Sequence, residues 1–187
     1  MKRALRKESL EWMRTIFIGV LLAVFFRTFF FSTYVVEGKS MMPTLQDGNM
    51  LVVNKVSYQV GELNRFDVVV FHANKQEDYV KRIIGLPGDQ IEYKHDKLYV
   101  NGKFMDEPYL ETYKQQAEGH QLTGDFTLEE STREKVVPKG YIFVLGDNRL
   151  GSWDSRQFGF VKADTVVGKV DLRYWPIRDL QTNFSKG

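Results

Sequence analysis

The 187-residue chain contains no cysteine. A disulfide framework, a thiolate-bound metal and a thiol nucleophile are thereby excluded, and the fold must hold without covalent cross-links. Histidine is scarce: His72, His95 and His120 are the only three, and none has a second histidine at helical metal-ligand spacing or a zinc-protease pattern around it. Each reads as an ordinary surface or strand residue, so no metal and no other cofactor is expected. Net positive charge is also missing from most of the chain. The formal net charge is +2, but Lys2, Arg3, Arg6, Lys7 and Arg14 against Glu8 and Glu11 give residues 1–14 a net +3 and leave −1 for the rest. A nucleic-acid-binding domain concentrates Lys and Arg in its folded part, often among aromatic residues, and no such stripe occurs here. Nucleic acid is not an expected partner.

The length accommodates one membrane anchor and one domain of about 150 residues with a single core. Thr15 to Val36 is almost wholly apolar apart from Arg27, and as a helix rising about 1.5 Å per residue it matches the hydrocarbon thickness of a bilayer. Arg27 lies close enough to the outer end to extend toward the headgroups. A cleaved signal peptide has the same basic start, but its apolar core is shorter. Phe29 to Tyr34 also lacks the pair of small residues that marks a cut site. The expected layout is a basic N terminus over residues 1–14, a retained anchor over 15–36 and a domain over 37–187. Positive-inside bias places residues 1–14 in the cytoplasm and the domain outside the plasma membrane.

Beyond the anchor, short β-branched and aromatic runs alternate with Gly, Pro, Asn and Asp, with no internal repeat and no long helical period. This predicts a mostly-β domain, with strands over Met50–Val56, Phe66–His72, Tyr79–Ile84, Gln90–Tyr93, Lys97–Val100, Tyr141–Leu145 and Thr165–Tyr174. Asn101-Gly102 is a strong hairpin signal and Pro87-Gly88-Asp89 a turn. The polar stretch from Glu107 to Glu134 reads as a long loop without chemistry.

Three segments carry candidate chemistry. Gly38 to Leu45, GKSMMPTL, follows the anchor closely and taken alone is a juxtamembrane turn. In Asp78 to Asp89, DYVKRIIGLPGD, strand alternation puts Tyr79, Lys81 and Ile83 on one face and Val80, Arg82 and Ile84 on the other, so one of the two basic residues points inward. A buried lysine loses hydration, its pKa falls, and the neutral amine can accept a proton from serine. Alone, the segment reads as an edge strand whose lysine reaches water. In Gly146 to Val161, GDNRLGSWDSRQFGFV, Asp154 and Arg156 can pair and Ser152 can orient a nearby amine.

In order and local wording these segments, together with RFDVVVF at Arg65 to Phe71 and the closing GKVDLRYWP, resemble the type I signal peptidase (leader peptidase) family. The likeness runs from the anchor to about Ile177 and is nearest the single-anchor form of Gram-positive bacteria. It implies an antiparallel, barrel-like β domain resting on the membrane and a serine endopeptidase that removes signal peptides from secretory preproteins. Ser40 would be the nucleophile and Lys81 the general base, a dyad that needs no histidine. Ser152 would hydrogen-bond Lys81, while Asp154, Arg156 and Arg82 would hold the loop around the dyad. Met41 would fix the nucleophile turn, and Val36, Leu45 and Val80 would line shallow pockets for small residues one and three positions before the cut. In some relatives a hydroxyl two residues before the nucleophile helps hold the oxyanion; here that position is Gly38, leaving backbone donors such as the Ser40 amide. Two other readings fit parts of the pattern. One is a Ser/Lys self-cleaving regulator, although no helix-turn-helix precedes the domain. The other is an inactive anchored homologue that only binds precursors.

Overall fold

The structure, a computed structural model, describes residues 2–56, 63–116 and 119–184. Its first element is a helix over Lys2–Phe30. Within it Trp12–Phe30, with mean hydropathy 1.8 and none of its surface buried, is long and apolar enough to cross a membrane. The apolar run expected to form one anchor over 15–36 divides at Phe30: Phe31–Val35 is strand β1, and Val36 is buried in the domain core. The cause lies in Phe-Ser-Thr-Tyr-Val, whose aromatic and β-branched residues favour a pleated surface. That segment pairs antiparallel along its whole length with β2 (Met50–Asn54).

The remaining strands are β3 (Val68–His72), β4 (Asp78–Gly85), β5 (Ile91–Lys94), β6 (Lys97–Val100), β7 (Lys103–Met105), β8 (Phe126–Thr127), β9 (Tyr141–Leu145), β10 (Val161–Lys162) and β11 (Val166–Trp175). They form a seven-stranded sheet in the order β1-β2-β11-β3-β4-β9-β10 and a four-stranded sheet in the order β7-β6-β5-β8. Each observed pairing is antiparallel. The mostly-β antiparallel domain that the sequence predicts is what folds.

Turn chemistry accounts for the small sheet. Asn101 and Gly102 both adopt positive φ, 51° and 75°, which is the two-residue hairpin whose twist matches that of the strands it joins. His95-Asp96 makes the β5–β6 turn with the same signs of φ, 51° and 63°. Its sequence lacks the glycine that would have announced it. The stretch Glu107–Glu134 is not the featureless loop expected. It contains a 3-10 turn over Pro108–Leu110, helices over Glu111–Gln116 and Leu128–Thr132, and β8. Thr127 and Glu130 cap the second helix reciprocally, a pattern written in the sequence as T-x-x-E.

Three apolar clusters pack the domain. One holds Val36, Met41, Leu45, Leu51, Val53, Val68, Val70, Val170 and Phe184. A second joins the two sheets through Ile84, Ile91, Tyr93 and Phe143, and a third lies around Val69, Phe71, Ile83 and Val144. β4 therefore runs through the middle of the molecule with core on both faces.

Candidate active site

β4 alternates as the sequence requires: Tyr79 and Ile83 face one cluster, Val80 and Ile84 the others. One inward basic residue was expected, but both are buried: Lys81 is 4% exposed and Arg82 0%. Core packs against each side of the strand.

The two cations are treated differently. Arg82 has a complete set of partners. Its Nε and Nη2 grip the Asp147 carboxylate at 2.8 and 2.6 Å, Nη1 donates to the carbonyls of Phe66 and Phe184, and the guanidinium lies 3.7 Å over the Tyr109 ring. Burial opposes its charge, and the Asp147 carboxylate overrides that and raises its pKa. Lys81 has no such partner. Its Nζ donates to the Ser40 hydroxyl oxygen at 2.8 Å and to its neighbour's carbonyl, Val80 O, at 3.2 Å. Burial lowers its pKa to about 8, against an upward pull from Asp154 and Asp147. An amine depressed this far is partly neutral near pH 8 and touches a hydroxyl whose proton it can take.

Ser40 is held by its backbone. Asn148 donates from its amide to Ser40 O at 3.0 Å and from its side chain to Lys39 O at 3.1 Å. Downstream, Leu45 N closes on Met41 O at 2.9 Å, and Met41, 1% exposed, anchors the turn in the core. Thr44 donates its hydroxyl to Asp147 Oδ2 at 2.5 Å, so the carboxylate that neutralises Arg82 also fixes the segment after Ser40. Gly38 takes a φ of +88° and donates its N–H to Asp47 Oδ1 at 2.8 Å. That conformation suits glycine, and the position supplies no hydroxyl to the site.

The third segment folds over the dyad. Arg82 holds it through Asp147, since alternation sends the Arg82 side chain to the opposite face from Lys81. Among the described cations Asp154 pairs with Arg156 alone, Nε to Oδ1 at 2.8 Å and Nη2 to Oδ2 at 2.9 Å. Asp154 also caps the helix over Ser155–Phe158 and accepts from Gly146 N at 3.0 Å. Among the described residues Ser152, expected on Lys81, has a buried hydroxyl with no hydrogen-bond partner, and the Lys81 Nζ bonds Ser40 and Val80 O instead. Leu45 is 0% exposed and sits in the core beneath the site, so it does not line the cleft.

The cleft itself, about 350 Å3, is walled by Tyr34, Val36, Asp78, Val80 and Trp153 around Ser40 and Lys81. Two of the three expected pocket residues, Val36 and Val80, thus face it. Gly146 sets how closely the loop approaches. A Cβ built there would stand 2.1 Å from Ser152 Oγ and 2.4 Å from Ser40 O, so any side chain must push the Ser40 backbone away. Gly146→Ala is expected to lower kcat about a hundredfold, the usual scale for an ångström of misplacement, with KM little changed. Steady-state kinetics on a precursor check this.

Sequence reasoning missed Glu107, Asp147 and Arg149. Arg149, 1% exposed, donates to Glu107 Oε1 at 2.5 Å, to Tyr93 OH at 2.9 Å and to Thr123 Oγ1 at 3.1 Å. The Glu107–Glu134 excursion thereby clamps the loop next to Asn148. The polar density of GDNR was the available signal, but nothing local names a partner 42 residues away.

Residues 9–175 match the family described as signal peptidase, peptidase S26. The chain is 64% identical over 168 residues to signal peptidase I of Bacillus caldolyticus, covering 90% of this chain and 92% of that one. It is 46% identical over 185 residues to signal peptidase IB of Staphylococcus aureus (strain COL), covering 97% of each. The crystal structure of a signal peptidase I from Enterococcus faecalis superposes with a TM-score of 0.56 at 45% identity, over 59% of this chain and 97% of that one. With a match spanning most of the helix, the dyad segments and all of β11, the chain belongs to the peptidase S26 family of signal peptidases.

Proposed function

We propose that the protein is a membrane-bound endopeptidase that cuts signal peptides from secretory preproteins, with Ser40 as nucleophile and Lys81 as general base. The observation that carries the residue roles is the 2.8 Å contact between a buried amine and the Ser40 oxygen. In its neutral form the Lys81 amine takes the Ser40 proton as Oγ bonds to the scissile carbonyl carbon. The resulting ammonium then gives that proton to the departing amine as the C–N bond breaks, leaving an ester on Ser40. Water, deprotonated by the same amine, hydrolyses the ester. Among the described residues the Ser40 amide donates no hydrogen bond, so it is free to serve the oxyanion in place of the hydroxyl that Gly38 lacks.

Val36 and Val80 bound the cleft and favour small apolar side chains on the substrate by excluding larger ones. Asp154 and Arg156 hold the loop, and Met41 holds the nucleophile turn. The spanning helix keeps enzyme and precursor on one surface, which raises their effective concentration. Residues 1–14 face the cytoplasm and the domain lies on the outer side, by the positive-inside bias. Protease digestion of right-side-out vesicles tests that orientation, and loss of the domain on external digestion is the expected result.

Because the base must be neutral, kcat/KM is expected to rise with pH and level off above about 8, the value to which burial lowers Lys81. Below it the rate falls about tenfold per pH unit. A profile flat from pH 6 to 9 overturns the assignment of Lys81 as base.

A further inference from the structure

At the domain end of the spanning helix lies a second hollow of about 510 Å3, separated from the cleft although Tyr34 borders both. Arg27, Thr28, Ser32, Thr33 and Lys55 contribute to its walls, and no carboxylate does. Arg27 is exposed, and among the described residues neither cation forms an ion pair. Among the described residues the Lys55 ammonium reaches only Thr28 O, at 3.3 Å. Two cations without an ion pair thus border one cavity.

The position of the hollow decides what can fill it. Trp12–Phe30 is 19 residues long, about 28 Å at 1.5 Å per residue, close to the hydrocarbon thickness of a bilayer. Phe30 then stands at the hydrocarbon boundary and the hollow in the headgroup layer. There the abundant anion is the lipid phosphodiester, whose oxygens match the guanidinium fork. A cation one turn inside the boundary is costly unless it extends to such a group. We propose that this hollow binds the phosphate of an anionic phospholipid, clasped between Arg27 and Lys55. β1 begins within the same wall and Lys55 N donates to Phe30 O at 2.9 Å. The bound headgroup therefore fixes the height of β1, and with it the cleft, above the bilayer. This rests on the reading of the helix as a membrane span.

The test uses the full chain in nanodiscs of equal phosphatidylcholine and phosphatidylglycerol, with retained lipid counted by native mass spectrometry after transfer to detergent. Two cations predict about tenfold or greater retention of phosphatidylglycerol over phosphatidylcholine, with the preference lost in R27Q/K55Q. Hydrolysis of a short peptide in detergent should be equal for both proteins, showing that the variant is folded. An unchanged preference in the variant, or none in the wild type, overturns the site. Binding of inorganic phosphate in lipid-free detergent more tightly than of phosphatidylglycerol assigns the hollow to a free anion and overturns the lipid proposal. Failure of the wild type to float with liposomes would defeat the spanning reading itself; flotation without lipid preference defeats only the site.

Discussion

Lys81→Met and Ser40→Ala are each expected to reduce cleavage of a precursor by a factor on the order of 10^4 or more, as when members of other serine dyads and triads are removed. The two losses should not add in the double variant, because nucleophile and base act on one proton. Unfolding is the competing explanation, and the sign of the Lys81 shift separates the two. The folded pKa, about 8, lies below the ordinary 10.5 of lysine. Between these values the unfolded chain binds more protons than the folded one, so this group makes stability rise with pH. Below pH 8 both states carry the proton, and the folded state bears the full cost of burying it. Lys81→Met removes that cost, so the inactive variant should be at least as stable as the parent at pH 7, and the difference should shrink between about pH 8 and 10.5. Urea denaturation across that range checks it. An inactive variant that is also much less stable at pH 7 would show that Lys81 acts through structure.

Asp147→Asn carries the largest expected effect on stability. Arg82 is fully buried, and Asp147 is the carboxylate paired with it. Removing that charge strands a guanidinium in the core, at a cost of about 3–5 kcal/mol. The midpoint of urea denaturation should fall accordingly, with little change in its slope. Arg82→Met together with Asp147→Leu replaces the pair by apolar volume and should recover most of the loss. Activity should not return with it, since leucine at position 147 offers no acceptor for the Thr44 hydroxyl bond that steadies the turn after Ser40. Recovery of full kcat in the double variant would sever the proposed link between this ion pair and the nucleophile.

The same residues show how far local sequence reaches. Alternation along Tyr79–Ile84 is a backbone property, and it held; whether one or both faces are covered depends on what packs against the strand, so the burial of Arg82 was not legible. The Asn101-Gly102 turn was readable because its φ angles are a local demand on residue type, whereas His95-Asp96 adopts the same angles under constraint from flanking strands. The anchor was legible as an apolar run. Its end at Phe30 was not, because aromatic and β-branched residues run on through Phe31–Val35 without a breaker, and the strand they favour is completed by its partner β2.

Composition alone removed cysteine chemistry, and the order of three short motifs carried the resemblance to a serine peptidase without histidine. Hydrophobic runs and turn residues determined an apolar helix followed by a mostly-β domain, because those signals act within a few residues. Tertiary structure alone decided that Lys81 meets Ser40 across 41 positions, that Ser152 is left without a partner, and that Glu107 holds Arg149. Such contacts depend on sheet register and on which loops close over which strand, and no local periodicity encodes the choice.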